Sequence, residues 1–544
     1  MLLHTSKTAA NLVADTESTK RSVSLAATNP ADIRGMSQSD THQSSAYKTS
    51  TRKADTDIAN STQGHKTKQG HDKNNSVGVI IIGAGMAGSR FAIELARAQQ
   101  QSIQQKIAHI SGMQVTDAYV PLPITLISKE PQVGYNRIML SPVLSGETAF
   151  EDTYLYDKAD YEALGITVLA GLSVDTINTE QQYIKLDNGQ VRHYAKLVIA
   201  TGSIARILPF PNHTAKGVHV FREVADVTAL TNYAHQNKTG LVIGGGVLGL
   251  EAACAMAAQG ASMTVVHTGD YVLNRQLDLP AAQLLQDELG RRGVSLELST
   301  HTEAIAINDK DEVCGLVLKD GRTLPADFIV MAVGVMPNTS LAKASGLNVG
   351  HGIVVDDCMH TSCPHVYAIG ECVELDGELF GMVAPVNQQV DTLVTVLKEA
   401  VISNATTAGD TKSLQAHWQP FISKPLSLKL KVSGVAAFSA GQIAFSDTEA
   451  ESIETLVYRQ PALNHYHCLY VKDNKVIGAV LYGDVHDGSF YSQLITDSVD
   501  ISLIKDDLIF GSAYCDLDAQ AMSDTTTDRL SDEVEVTELM EQAS

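Results

Sequence analysis

Two copies of the pattern G-x-G-x-x-G, each directly after a short apolar run, constrain this chain more than any other feature. The first is Gly83-Ala84-Gly85-Met86-Ala87-Gly88, behind Val77-Gly78-Val79-Ile80-Ile81-Ile82. The second is Gly244-Gly245-Gly246-Val247-Leu248-Gly249, behind Leu241-Val242-Ile243. A strand that ends in such a turn and runs into a helix gathers backbone amides at a helix N-terminus. There the dipole favours an anion, and the absent side chains let a pyrophosphate approach. One copy is weak evidence, because glycine-rich turns are common. Two copies in the same strand–turn–helix context predict two dinucleotide sites in one polypeptide. The economical chemistry for such a pair is hydride transfer from a nicotinamide to a flavin.

The 544 residues are enough for three or four domains and a large core. No apolar run approaches the roughly 18 residues that would predict a membrane-spanning helix. A net charge of −22 argues against nonspecific nucleic-acid binding and fits a well-solvated cytoplasmic protein, although an acidic surface also suits a basic partner. Seven cysteines, an odd number in a long chain, read as reduced thiols. Met1-Leu2-Leu3 is followed at once by polar residues, so no secretory signal is expected.

Residues 1–76 are rich in Ser, Thr, Asn, Gln and Lys and read as a disordered segment; 516–544 read as an acidic tail that includes Asp532-Glu533-Val534-Glu535 and Glu538. Between them the expected fold is α/β, with two Rossmann-like dinucleotide-binding domains and a smaller C-terminal α+β domain. The first domain is discontinuous, 77–205 and 330–400. Its helix is expected from Ala87 to about Ala98, with Phe91, Leu95 and Ala98 on one face, and its second strand over Ile124-Thr125-Leu126-Ile127. The long gap from about Gln99 to Pro123 reads as a polar surface insertion. The second domain spans 206–329, with a helix from about Leu248 to Gln259 and a strand over Met263-Thr264-Val265-Val266. A β-rich stretch ending in Phe328-Ile329-Val330-Met331-Ala332 then returns the chain to the first domain. In the third part, 415–515, Asn464 to Tyr482 reads as a hairpin about Lys472-Asp473-Asn474-Lys475, followed by a helix from Ser489 to about Val499. That part carries no catalytic signature.

Three further strand ends carry chemistry. Ala200-Thr201-Gly202 follows Lys196-Leu197-Val198-Ile199. Val333-Gly334-Val335-Met336-Pro337 ends a second strand, where glycine and proline stop the ladder. Tyr367-Ala368-Ile369-Gly370-Glu371 ends a third with a carboxylate, which can accept hydrogen bonds from a ribityl hydroxyl, while Gly370 permits close approach.

In this order the motifs resemble the FAD-dependent pyridine nucleotide reductases with two dinucleotide-binding domains, over about residues 77 to 400. Four segments look like the branch of nitrite reductase large subunits and rubredoxin reductases. They are Tyr135-Asn136-Arg137-Ile138-Met139-Leu140-Ser141, Ile369-Gly370-Glu371-Cys372, Phe380-Gly381-Met382-Val383-Ala384-Pro385 and Arg275-Gln276-Leu277-Asp278. Leu428 to Val435 is similar to a segment of nitrite reductase large subunits. The resemblance implies that Arg137 and Ser141 lie near FAD and that Glu371 holds the ribityl chain. It also implies that the helix after Pro385 aims its N-terminus at the flavin pyrimidine, where it would stabilise an anionic reduced flavin. Glu251, just past the last glycine of the second turn, matches a family carboxylate close to the nicotinamide; as a first-turn helix acid it is also favoured by the dipole.

The chain departs from the pattern in places. The acid expected for the adenosine ribose at the end of the first domain's second strand is displaced, and Glu130 is the candidate. The corresponding place in the second domain holds His267. A carboxylate there would favour NADH, whereas a histidine accommodates NADH or NADPH. Cys358-Met359-His360-Thr361-Ser362-Cys363 has the C-x4-C spacing of a superfamily redox disulfide. It lies late in the chain, and no Cys precedes Cys254, so a redox-active disulfide is not expected there; Cys372, beside the flavin motif, is expected to be structural. The absence of a flavin-side Cys also argues against an NADH oxidase or peroxidase. His465, His467 and Cys468 share a predicted strand without the spacing of a metal site, and no metal is expected. Full-length nitrite reductase large subunits continue into cysteine-rich iron–sulfur and sirohaem regions; this chain ends without those cysteines and is not expected to reduce nitrite itself. The expectation is an NAD(P)H-dependent FAD reductase that passes electrons to a separate protein. An assimilatory nitrate or nitrite reductase is the leading acceptor. A rubredoxin-type acceptor and a slow-turnover flavin-binding redox sensor are the alternatives, and a homodimer is left open.

Overall fold

The computed structural model describes residues 77–109, 121–403, 420–422, 427–432 and 434–515. The polar segment at 1–76 and the acidic tail at 516–544 lie outside them.

Short runs of β-branched residues buried on both faces form parallel strands, and they do so twice. In the first sheet β1 (Gly78–Ile82) lies between β2 (Ile124–Ser128) and β4 (Val191–Ile199), and β3 (Thr167–Ala170) flanks β2, all parallel. Val366–Ala368 adds to the far side of β4. In the second sheet β5 (Thr239–Ile243) lies between β6 (Ser262–Val266) and β8 (Phe328–Met331), and β7 (Val294–Glu297) flanks β6. Val218–His219 completes the far edge. The four long strands of both sheets therefore have the same order, and in both an antiparallel meander precedes the last of them; the edge strand comes from later in the chain in the first sheet and from earlier in the second. The first uses Val174–Asn178 and Tyr183–Leu186, the second Thr302–Ile307, Val313–Leu318 and Thr323–Pro325.

The helices α1 (Met86–His109) and α2 (Val247–Ala258) leave the two glycine turns. The first is longer than the sequence predicts. It runs on through Gln99 to His109, so the start of the supposed insertion is helix. Gln99 and Ser102 are buried, and Ser102 Oγ donates to the Ala98 carbonyl at 2.8 Å. Residues 110–120 lie outside the described ones.

A second difference concerns Val333 to Pro337. The strand before it, β8, already ends at Met331, and Val335–Pro337 form a strand of their own. It pairs antiparallel with Ser203–Ala205, Met336 facing Ile204. The two segments that cross between the domains are thus stitched to each other.

After α3 (Leu279–Arg291), Val366–Ala368 is β9 and α4 spans Val383–Ser403. The last sheet is antiparallel: β10 (Ser427–Val432), β11 (Val435–Gly441), β12 (Glu454–Gln460), β13 (His465–Lys472) and β14 (Lys475–Tyr482), in the order β10–β11–β14–β13–β12. The β13–β14 hairpin turns on Asp473 and Asn474, with φ of 50° and 55°, as a two-residue turn of the primed kind requires. Alternation splits the sheet between two cores. Leu469, Val471, Ala479 and Leu481 pack with Tyr491 and Leu494 of α5 (Gly488–Thr496). Tyr466, Cys468, Tyr470, Val480 and Tyr482 join the core around α2 and α3.

Asp278 fastens that second contact. It N-caps α3 by accepting from the Ala281 N–H at 3.1 Å, and its other oxygen accepts from the Tyr466 and Tyr470 hydroxyls. Replacing Asp278 with alanine removes a cap and strands two buried hydroxyls. The expected loss is about 3 kcal/mol, one part cap and two parts charge-assisted hydrogen bonds. Denaturant unfolding checks this, and a loss below about 1 kcal/mol would show that the docking does not depend on this residue.

No helix among the described residues is long and apolar enough to cross a membrane.

Candidate flavin and nicotinamide sites

In each turn two glycines serve packing and one faces open space. Gly83 sits at φ 108°, and a Cβ on it would stand 2.2 Å from the Ala200 carbonyl oxygen; one on Gly88 would stand 1.9 Å from the Gly83 oxygen. In the second turn Gly244 (φ 119°) would meet the Ala332 oxygen at 2.3 Å, and Gly249 the Gly244 oxygen at 2.1 Å. A Cβ on Gly85 or on Gly246 would meet nothing within 4 Å. The outer glycines let strand, turn and helix close up, and the middle one leaves the helix N-terminus uncovered. This is the cradle a pyrophosphate needs. The two turns are also tethered alike. Gly83 N–H donates to Ile127 O at 2.8 Å and Gly244 N–H to Val266 O at 2.9 Å, while Ala200 N–H and Ala332 N–H donate to Ile82 O and Ile243 O.

Around the first cradle, Ala87 in the first turn of α1 packs on Gly370, where a Cβ would come 3.3 Å from its methyl carbon. Gly370 has φ 92°, and its N–H is held at 2.8 Å by Gln389 Oε1, a fully buried side chain of α4. Pro385 lies in the first turn of α4, where its missing N–H costs nothing. Thr201 Oγ1 donates to Asn338 O at 2.8 Å, and Asn338 N–H returns a bond of 2.8 Å to Gly202 O. Arg206 N–H donates to Gly334 O at 2.9 Å. Thr201, Gly202 and Gly334 therefore bind the crossing segments to each other at the mouth of the first sheet.

The segment expected near FAD forms one charged cluster. Arg137 opens a short 3-10 turn after Asn136, whose side chain accepts from the Ile138 N–H at 3.1 Å. Glu130 is not a solvated surface acid. Its oxygens accept from Arg137 at 2.6 Å and from the Tyr135 hydroxyl at 2.8 Å, and burial raises the phenol pKa of Tyr135. Arg137 also donates to the Arg222 carbonyl at 2.9 Å. Glu371 Oε2 accepts from Ser203 Oγ at 2.9 Å and is ion-paired with Arg222.

Ser141 and Glu251 join the segment expected near FAD to the helix that leaves the second cradle. Ser141 begins the helix Leu140–Ser145 in the flavin segment, Glu251 projects from α2, and Ser141 Oγ donates to Glu251 Oε2 at 2.7 Å. Burial pushes the Glu251 carboxyl above the usual carboxylate range, and the Ser141 bond works against it. His267, at the end of β6, lies against the second cradle. Its Nδ1 accepts from the Gly245 N–H at 3.2 Å, and a Cβ on Gly245 would come 2.8 Å from its ring. Burial lowers its pKa, so the ring is held neutral and serves as an acceptor.

No disulfide joins any of the seven cysteines. Burial, with Asp357 alongside, pushes the Cys358 thiol up to about 12, far from the thiolate that disulfide exchange needs. His467 Nε2 contacts the Asp484 carbonyl at 2.9 Å, and no metal-holding group of three or more His, Cys, Asp or Glu occurs among the described residues.

Three residues escaped the sequence reading: Arg222, Ser203 and Gln389. A lone basic residue after Val218-His219-Val220-Phe221 was the one available hint for Arg222.

Residues 77–408 match the family model of the pyridine nucleotide-disulphide oxidoreductases, and 427–499 match that of the rubredoxin NAD+ reductase C-terminal domain. The chain belongs to the pyridine nucleotide-disulphide oxidoreductase family. Among the proteins it resembles are nitrite reductases and ferredoxin reductases.

It is 36% identical over 424 residues to a nitrite reductase [NAD(P)H] of Bacillus subtilis, covering 78% of this chain and 48% of the relative. It is 34% identical over 436 residues to the assimilatory nitrate reductase electron transfer subunit of the same organism, covering 79% and 51%. The ferredoxin reductase for the CYP199A2 system of Rhodopseudomonas palustris superposes with a TM-score of 0.62 at 26% identity, covering 76% of this chain and 93% of that one. The chain spans about half the length of the two Bacillus relatives.

Proposed function

We propose that this chain takes electrons from NAD(P)H into FAD and hands them to a separate redox protein, in the first place an assimilatory nitrate or nitrite reductase. The observation that carries this reading is the pair of open glycine cradles on repeated sheets, the second of them tied to the segment expected near FAD by the Ser141–Glu251 hydrogen bond of 2.7 Å. In it, the amides around Gly83, Gly85 and Gly88 would hold the FAD pyrophosphate at the start of α1, Glu130 the adenosine ribose and Glu371 the ribityl chain. Ala200, Thr201 and Gly202 would shape the wall beside it, and the first turn of α4 at Pro385 would supply its helix N-terminus to the flavin. Gly244, Gly246 and Gly249 would hold the nucleotide pyrophosphate, His267 would lie beside its ribose, and Glu251 would orient the nicotinamide. Bound FAD would supply the chemistry that links a hydride donor to one-electron acceptors; the protein supplies position and charge.

The acceptor is inferred from the two Bacillus relatives, whose names carry nitrite and assimilatory nitrate reduction. A rubredoxin-like carrier is the second reading, favoured by the match at 427–499. Seven cysteines without a disulfide suit a reducing compartment such as the cytoplasm.

An anaerobic titration with NADH and, separately, NADPH tests the core of the proposal. Absorbance near ~450 nm, set by the bound isoalloxazine, is expected to bleach with at least one nucleotide. A purified protein without flavin, or a flavin that neither nucleotide reduces, overturns it. Rapid turnover with ferricyanide would then separate a reductase from a slow redox sensor, and steady-state assays with a nitrate reductase and with a rubredoxin would rank the acceptors.

A further inference from the structure

One residue ties the carboxylate beyond β9 to the second domain. Arg222 follows the edge strand Val218–His219 and precedes the helix Val224–His235. That helix fixes its backbone. Arg222 N–H and Glu223 N–H both donate to Asp226 Oδ2 at 2.8 Å, within a capping box. Val227, Leu230 and Ala234 of the same helix are buried in the core around α2. The guanidinium nevertheless reaches into the first domain, where it donates to Glu371 Oε2 and to Ser203 Oγ. The paired side chains are 16% and 24% exposed, so the charges are largely removed from water. The Arg222 carbonyl meanwhile accepts from Arg137.

This arrangement orients the carboxylate. Its Oε2 is filled by two donors. Its Oε1 has no hydrogen bond among the described residues, and it lies 4.0 Å from where a Cβ on Gly381 would stand, beside the turn into α4. Arg222 Nε is also buried without an acceptor, a cost that a ligand or water oxygen would remove.

We propose that Arg222 is a positioning residue for the flavin site. It turns Oε1 of Glu371 toward the cofactor and cancels the carboxylate's charge there. Because its backbone belongs to a helix cap of the nicotinamide domain, docking of that domain and the charge beside the flavin become one property. The inference rests on the reading of Glu371 as the ribityl carboxylate.

The test uses the full chain and reads the midpoint potential of bound FAD and its dissociation constant. Without Arg222, a negative charge stands uncancelled beside a group that gains electrons. Arg222→Met should therefore lower the potential by about 30 mV, a tenfold change in a two-electron equilibrium, and weaken FAD binding about tenfold. Arg222→Lys keeps the charge but loses the planar group and its buried Nε, so the potential should hold while affinity falls. Glu371→Gln should move the potential the opposite way, and the double variant should return close to the parent. If Arg222 acts by orienting Glu371, its removal should weaken FAD far less in the Glu371→Gln background.

An unmoved potential in Arg222→Met, or an equal affinity loss in both backgrounds, overturns the proposal. Unchanged affinity and potential in Glu371→Gln alone would instead remove the reading of Glu371 on which it rests. Should Arg222→Met not accumulate as folded protein, Arg222→Lys and Ser203→Ala, each alone and with Glu371→Gln, carry the same affinity comparison.

Discussion

Replacing Gly246 with valine is expected to yield a folded, FAD-loaded protein that NADH and NADPH scarcely reduce. The backbone tolerates the change. Gly246 is the N-cap of α2 at φ −85° and ψ 177°, a conformation open to any residue, and a Cβ there meets no neighbour within 4 Å. The ligand would not tolerate it, because the side chain would project into the space over the helix N-terminus. Losing one or two charge-assisted amide hydrogen bonds to a pyrophosphate is worth about 3 kcal/mol, a rise in nucleotide KM of about 100-fold or more. Gly85→Val is the twin experiment on the other cradle and should instead deplete FAD.

Gly249→Val is the control. Its Cβ would stand 2.1 Å from the Gly244 oxygen, so it should unfold the second domain rather than spare it. Thermal melts, flavin content and nucleotide KM measured together separate these outcomes. If Gly246→Val keeps the parent KM for both nucleotides, the second cradle is not where they bind.

The two cradles could be read in the sequence because glycine records a local requirement. Gly88 and Gly249 close on the turn itself, so the motif carries those contacts; Gly83 and Gly244 close on the neighbouring strand ends at Ala200 and Ala332, which the strand–turn–helix context implies without naming. Gly370-Glu371 is legible for the same reason. What the sequence hid is non-local. The Arg222 guanidinium meets a carboxylate 149 residues further on, and nothing near Arg222 advertises that partner.

The course of α1 beyond Ala98 was hidden differently. Gln99-Gln100-Gln101-Ser102-Ile103-Gln104-Gln105 reads as polar, although glutamine is a serviceable helix former. Burial of Gln99 and Ser102 belongs to the folded packing, which polarity alone does not reveal. His267 shows a third case. Its position at the strand end was legible, but not that its ring accepts the Gly245 N–H, which makes it part of the turn as well as a neighbour of the ribose site.

Glu251→Gln should make the protein more stable at neutral pH and slower. Burial raises the Glu251 pKa above its unfolded value. The stability linked to its proton is thus fully present below the ordinary carboxylate range and is lost as pH rises through the raised value. At neutral pH the parent bears the cost of a partly buried charge that glutamine does not carry. The variant's advantage in melting temperature should therefore appear at neutral pH and vanish as pH falls below the ordinary carboxylate range.

The gain comes at the reacting end of the site. If the carboxylate orients the nicotinamide, its neutral replacement should slow flavin reduction by about 10²-fold, within the usual range for a positioned carboxylate, with FAD content unchanged. Ser141→Ala supplies the cross-check. The Ser141 bond lowers the Glu251 pKa, so its loss should move the acid limb of the kcat/KM profile to higher pH. A profile that stays in place when Ser141 is removed would mean that another group titrates there. A Glu251→Gln variant that is more stable yet equally fast would make this carboxylate a tolerated buried charge, with no part in the reaction.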